Sequence, residues 1–240
     1  MKTHIDISMS LSLKLLGILF LILLVSGCSP GLNNHITTLS SHDTFVHVEV
    51  NSISINPSET GNWAERQGFG SGIIIKSNTT STMVLTAAHV CIPSYDPPEL
   101  DNTINTISVV NWNGELFHVE VIGIDIPNDL CMLEGGYTGI PSIKTSRIIP
   151  SPGDRIYNMA APHNIFGDRF VLTFDGIYSG QISGDNEQIY TVPAGPGSSG
   201  SPILNSSGHL IGIIHSSTTV MENIAIGPNT ESIINFIASF

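Results

Sequence analysis

From Gly68 to the C-terminus the chain is a succession of short apolar runs, each closed within a few residues by glycine, proline, asparagine or serine. Gly72-Ile73-Ile74-Ile75, Met83-Val84-Leu85, Ile107-Ser108-Val109-Val110 and Leu116 to Ile124 open the series. Phe170 to Phe174, Gln188 to Val192 and Leu210 to Ile214 continue it. Runs this short do not make bundle helices, which need about 10–12 residues of sustained periodicity. Strands bury side chains with fewer residues, and many strands spaced by turns predict an all-β sandwich or barrel. The 23 glycines and 14 prolines supply the turns. Thr44 to Val50 alternates and adds a candidate first strand. Gly135-Gly136 through Pro152-Gly153 reads as a connection between two halves. One helix is predicted at the end, where Pro228-Asn229-Thr230 precedes Ile233, Ile234, Phe236 and Ile237 at near-helical spacing.

A hydrophobic content of 41% is enough for a substantial core, but charged residues are only 12%, against about 25% in an average soluble domain. Ser, Thr and Asn must therefore cover much of the surface. A net charge of −12 repels phosphates, which argues against nucleic acid or an anionic lipid surface as a partner. The N-terminus points to a membrane by another route. Lys14 precedes an uncharged apolar run from Leu15 to Val25, too short to span a bilayer and the length of a signal-peptide core. It ends in Leu24-Val25-Ser26-Gly27-Cys28, which resembles the bacterial lipobox. That resemblance implies a leader over residues 1–27, cleavage before Cys28 and a lipid on its sulfur. Translation starts at Met1 or at Met9. Ser29, in place of Asp, favours the periplasmic face of the outer membrane if the host is Gram-negative. The alternative is an ordinary leader or anchor with a chance cysteine. Residues 28–58, rich in Ser, Asn and Thr, read as a tether that carries the candidate first strand.

Acyl transfer to a serine needs an exposed hydroxyl, an imidazole to take its proton and a carboxylate to fix that imidazole. It also needs backbone N–H groups aimed at the developing oxyanion, which glycine near the nucleophile permits. Gly195-Pro196-Gly197-Ser198-Ser199-Gly200-Ser201-Pro202 has this character, with Gly197 and Gly200 bracketing Ser199 and the strand Ile203-Leu204 following. Val84-Leu85-Thr86-Ala87-Ala88-His89-Val90 places a histidine at the end of an apolar strand, behind two small alanines.

Four segments, in order, resemble the trypsin-like serine peptidases, in the bacterial branch that includes the HtrA proteases and the glutamyl endopeptidases. They are Gly70-Ser71-Gly72-Ile73-Ile74-Ile75, Leu85-Thr86-Ala87-Ala88-His89-Val90, Gly123 to Leu133 around Asp125 and Asp129, and Gly197-Ser198-Ser199-Gly200-Ser201-Pro202. The resemblance implies two six-stranded antiparallel Greek-key β-barrels with a short C-terminal helix. It places a peptidase domain over 59–240, with barrels at about 59–140 and 150–227 and the helix at about 229–239. The order His, Asp, Ser separates this family from subtilisin-like and α/β-hydrolase enzymes. Catalytic roles are carried to His89, Asp129 and Ser199, and the oxyanion hole to the N–H groups of Gly197 and Ser199. Asp125 is the rival acid; the family motif favours its second aspartate, Asp129. Cys91 and Cys131 each follow a proposed triad member by two residues, and either pair in an oxidising envelope or stay as buried thiols.

The chain departs from its relatives at Ser198, where they carry Asn or Asp. Without an acid there, activation by a freed N-terminal amine is not expected. Around the primary specificity pocket the resemblance places Thr191, Pro193, Ala194, Ile214, His215, Ser216 and Ser217. None is acidic, so cleavage after Lys or Arg is not expected. Glutamyl-specific enzymes use a histidine near this point, but Ile214 shifts His215 by one position, and one position along a strand reverses a side chain. His215 is therefore expected near the triad, facing Asp129, or partly solvated. His35, His42, His47, His118, His163 and His209 show no metal-ligand spacing, and neither metal nor cofactor is expected. No PDZ module of the HtrA type is expected after the helix. The partners expected are protein or peptide substrates. Two other functions fit the same residues: a catalytically silent envelope lipoprotein that binds, and an esterase with the same triad. The complete triad and both glycines weigh against the silent one.

Overall fold

Successive side chains of a strand point to opposite faces, and several strands here are apolar on both. The computed structural model describes residues 41–55, 63–92, 102–218, 220–221 and 223–240. The leader, Cys28 and the first part of the tether lie outside the described residues.

The first half is a closed antiparallel barrel of β1 (Phe45–Ile55), β2 (Trp63–Ser77), β3 (Thr82–Ala87), β4 (Asn102–Asn111), β5 (Leu116–Asp125) and β6 (Leu130–Gly135). Its order is β1-β2-β3-β6-β5-β4, with β1 and β4 closing the ring. The alternating stretch from the sequence is thus an integral strand, paired on both sides, and the ladder begins ahead of residue 59. A single helical turn, α1 (Ala88–Cys91), follows β3.

The second half is a sheet of eight strands: β7 (Arg155–Ala160), β8 (Phe166–Gly167), β9 (Phe170–Gln181), β10 (Glu187–Thr191), β11 (Pro202–Asn205), β12 (Leu210–Ile213), β13 (Ser216–Ser217) and β14 (Ala225–Pro228). Its path is β12-β11-β7-β9-β10-β14-β13, and β8 pairs off that path with β9. The two extra members are the two-residue strands β8 and β13. Gly227 on β14 lies so close to β12 that a Cβ there would sit 1.9 Å from the Ile213 carbonyl oxygen. Only glycine allows β14 to approach β12, at the start of the path, this closely. The helix α2 (Thr230–Ile237) is capped by Asn229, whose side chain accepts from the Ser232 N–H at 2.8 Å. Phe240, just beyond it, lies against Gly123 of β5.

Alternation sorts the core into three layers. Val46, Val48, Val50, Ile74, Val84, Cys131 and Leu133 fill the first barrel. Ile156, Tyr190, Val192, Ile203, Ile211 and Ile214 fill the second unit. Their neighbours in sequence, Phe45, Ile73, Leu85, Leu130 and Met132 on one side and Tyr157, Leu204, Leu210 and Ile213 on the other, form the seam between the units. A buried Ile, Leu or Phe contributes about 1.5–3 kcal/mol through removal from water, so this seam is a main support of the contact between the two units.

Candidate active site

β3 and β6 are antiparallel neighbours, with Ala87 opposite Leu130 and Thr86 opposite Cys131. The register therefore brings the end of β3, which runs into His89, beside the start of β6, which follows Asp129. Cys91 and Cys131 form a disulfide across the same point, deciding between the two readings left open by the sequence. Asp129 is held in the left-handed region, at φ 51°, by a turn in which its N–H donates to the Ile126 carbonyl. Both of its carboxylate oxygens then reach His89: Oδ1 accepts from the backbone N–H at 2.9 Å and Oδ2 lies 2.6 Å from Nδ1. The Asp129 carbonyl accepts from the Ala88 N–H as well. Burial pushes the Asp129 carboxyl up, but the two hydrogen bonds and the neighbouring His89 and His215 outweigh it and hold the pKa below the usual value. The rival Asp125 makes a different contact. Its carboxylate accepts from the N–H and the side-chain amide of Asn128, at 3.2 and 2.7 Å, and so shapes the turn that presents Asp129.

Ser199 lies on the loop between β10 and β11, flanked by Gly197 at φ 92° and Gly200 at φ 84°. Both positions need glycine for space as well as for φ. A Cβ on Gly200 would sit 2.1 Å from the Ser71 carbonyl and from Thr86 Oγ1, and one on Gly197 would sit 2.5 Å from the Ala161 carbonyl. The loop is thus pressed against β2 and β3, two residues short of His89. Gly70 is caught between the Val90 side chain and the Ser199 carbonyl, at 2.8 and 3.0 Å from its would-be Cβ. No hydrogen bond joins the Ser199 hydroxyl to His89 among the described residues, and such bonds tighten on substrate binding in many enzymes.

The donors of this loop divide in an informative way. The N–H groups of Ser198, Gly200 and Ser201 donate to the carbonyls of Gly195, Ile214 and Ser198, and that of Gly195 to Ser198 Oγ. Among the described residues, those of Gly197 and Ser199 have no acceptor. The Pro196 carbonyl accepts from the His163 N–H at 2.6 Å, and in a trans peptide the following N–H, that of Gly197, points the opposite way. Ser198 and Ser201, the other serines here, are buried and bonded: Ser198 Oγ to Gly195, and Ser201 Oγ as acceptor from Asn158 Nδ2 at 2.9 Å.

The expected pocket residues fall into two groups. Ile214 is buried with Val192, Tyr190 and Ala225, and Ala194 packs against them, so this wall is apolar. Pro193 is half-buried, and Ser216 pairs with Ile226 as part of β13. Thr191 lies elsewhere. It alternates with the buried Tyr190 and Val192, so its side chain faces outward to Ser179 Oγ at 2.8 Å and a cavity with Arg155 and Asp175 that contains no triad candidate. His215 stands behind Asp129, sharing with it a cavity of about 490 Å³, and its Nε2 lies 3.5 Å from Glu187 Oε1. Burial pushes its pKa down, against the pull of Asp129 and Glu187. Ser71, Thr86, Asn158 and His163 also support the loop, a role that no sequence motif announces. A serine between two glycines inside an apolar strand is the available signal for Ser71. Among the described residues no group of three or more His, Cys, Asp or Glu side chains gathers as a metal site.

Residues 70–213 match the family described as trypsin-like peptidase domain. No curated protein sequence matches the chain significantly. Among solved structures, the serine endoprotease from Yersinia pestis superposes with a TM-score of 0.65 at 20% identity, covering 88% of this chain and 67% of that one. An HtrA-type protease, AlgW, with a decapeptide, gives 0.69 at 16% identity, covering 87% and 66%. The chain thus spans about two thirds of the length of either, and at such identities the likeness speaks for the fold.

Proposed function

The chain belongs to the trypsin-like peptidase family, and on that premise we propose that it is a serine endopeptidase with Ser199 as nucleophile, His89 as general base and Asp129 as the orienting acid. The observation that carries the proposal is the clasp of both Asp129 oxygens on His89, at 2.6 and 2.9 Å. By accepting the Nδ1–H, Asp129 fixes the tautomer whose Nε2 is free to take a proton. Ser199 Oγ attacks the substrate carbonyl, His89 takes the hydroxyl proton and returns it to the leaving amine, and Asp129 stabilises the imidazolium between these steps. The N–H groups of Gly197 and Ser199, which find no acceptor among the described residues, receive the oxyanion. Water then repeats the sequence on the acyl-enzyme and releases the acid.

The apolar wall of Ala194 and Ile214 supports an uncharged residue before the scissile bond and speaks against Lys or Arg there. The substrates proposed are proteins or peptides of a bacterial envelope, where the chain is held by a lipid on Cys28. The test of the enzyme is labelling by a fluorophosphonate probe, expected for the wild type and absent in Ser199→Ala. A folded wild type that stays unlabelled would sink the proposal and leave the binding role. The anchor is tested by metabolic incorporation of a palmitate analogue, expected to disappear in Cys28→Ser. Incorporation that survives that change would exclude Cys28 as the site.

A further inference from the structure

Gly197 joins two peptide planes, and its own N–H belongs to the first. That plane is held by its carbonyl, Pro196 C=O, on the His163 N–H, where His163 adopts a left-handed φ of 53°. The second plane is held by the Gly197 carbonyl, which accepts from the Ser71 hydroxyl at 2.8 Å. A glycine with no Cβ offers little resistance to rotation of either plane, so the path of the loop through Gly197 depends on what grips them: His163 the plane that carries the Gly197 N–H, and Ser71 together with the bond from the Ser198 N–H to the Gly195 carbonyl the plane that follows. Ser71 lies on β2 in the first barrel, 126 residues away in sequence and fully buried. It is engaged on every side. Its hydroxyl, having donated to Gly197, accepts from the Ala161 N–H at 3.1 Å. Its own N–H donates to the Ser199 carbonyl at 2.8 Å, and its carbonyl accepts from Thr86 Oγ1 at 2.7 Å. One residue of the first barrel thus grips the loop of the second at positions 197 and 199, the two positions whose N–H groups find no acceptor among the described residues.

We propose that Ser71 is a positioning residue for the oxyanion hole: by gripping the Gly197 carbonyl with its hydroxyl and the Ser199 carbonyl with its N–H, it holds the loop in the path on which the Ser199 N–H and the Gly197 N–H, the latter in the plane that His163 grips, face the developing oxyanion. This rests on the reading of Ser199 as nucleophile. Ser71→Ala removes one donor and one acceptor, leaving the Gly197 carbonyl and the Ala161 N–H without their partner and the second plane held by the bond from the Ser198 N–H to the Gly195 carbonyl alone. Loss of an entire oxyanion donor slows catalysis on the order of 10²- to 10³-fold, and a misdirected donor should cost less, roughly 10- to 100-fold.

The experiment measures the second-order rate of fluorophosphonate labelling on the full-length chain between about pH 5 and 9, with thermal melting alongside. Ser71→Ala is expected to label slowly, with a cooperative melt and with the pH midpoint, which reports the base, unchanged. Ser71→Thr, which restores the hydroxyl, is expected to recover most of the rate. Ser71→Cys, near in size but a weak donor, is expected to show the same defect and serves if the alanine variant does not fold. Labelling of Ser71→Ala at the wild-type rate overturns the inference, and so does a slow rate that comes with a shifted midpoint, which would place the fault at His89 and Asp129. A folded Ser71→Thr as slow as the alanine variant overturns it too. A wild type that does not label overturns the reading of Ser199 and this inference with it, whereas a labelling wild type confines any failure to Ser71.

Discussion

Asp129 makes two different hydrogen bonds to one histidine, and they do different work. The bond from the His89 backbone N–H fixes where the loop begins, while the contact with Nδ1 fixes which way the ring faces and which nitrogen is free. An asparagine keeps one oxygen for the backbone N–H but turns its amide donor toward Nδ1, which favours the tautomer with the proton on Nε2. Asp129→Asn is therefore expected to fold and to label or hydrolyse on the order of 10⁴-fold more slowly. Because the native pKa of Asp129 is held below its ordinary 3.8, the carboxylate stays charged throughout the range in which a histidine titrates. The acid limb of wild-type activity should therefore report the base alone. A variant within about tenfold of the wild-type rate would mean that Asp129 is not the orienting acid.

At the scale of elements, local pattern and remote pairing separate what the sequence announces from what it conceals. The short apolar runs are legible as strands because a strand declares itself within a few residues. The runs at 72–75, 83–85, 107–110, 116–124 and 170–174 lie within strands of the fold, and those at 188–192 and 210–214 each overrun their strand by one residue. The first strand is legible too, since Val46, Val48 and Val50 share a face, but its place in the barrel is not, because only pairing with β2 and β4 reveals it. Asn229 announces the terminal helix by its capping chemistry. The eight-strand form of the second sheet is beyond reach, since its additions are two residues long. In the site, His89, Asp129 and Ser199 stand in strings whose order carries information. Ser71 stands in such a string too, but its role and that of His163 are not legible there, because they consist of contacts with residues that are remote in sequence, at 90 and 126 positions for the Ser71 hydroxyl. Position along the chain assigns Thr191 to the pocket, but the alternation with Tyr190 and Val192 sends its side chain to the other face.

At the largest scale the described residues form two β-units joined along one seam, and three histidines with depressed pKa values lie along it. His47 of β1 stacks on Phe166 of β8 at 5.4 Å, and His42 bonds Thr173 of β9 at 2.9 Å. His215, just past β12, stands behind Asp129 of the first barrel. In each, burial pushes the pKa below 6.5, against nearby carboxylates: Asp43 for His42, Glu49 for His47, and Asp129 and Glu187 for His215, where His89 adds a further downward push. As pH falls through 6.5 the unfolded chain takes up these protons first, and the folded chain only at lower pH. The unfolded state then binds more protons, so stability must fall with pH. The contribution is full above 6.5 and is lost as pH drops toward the native values; Asp129 adds a second loss below 3.8. The melting temperature is therefore expected to be level above about pH 7 and to decline from there toward pH 5. His47 is nearly inaccessible and its Nε2 has no partner among the described residues, so it should carry a large share. His47→Phe keeps the ring stack and removes the titration, and should flatten the decline. A melting temperature independent of pH in the wild type, or a slope unchanged in His47→Phe, would show that the seam does not respond to acid through this residue.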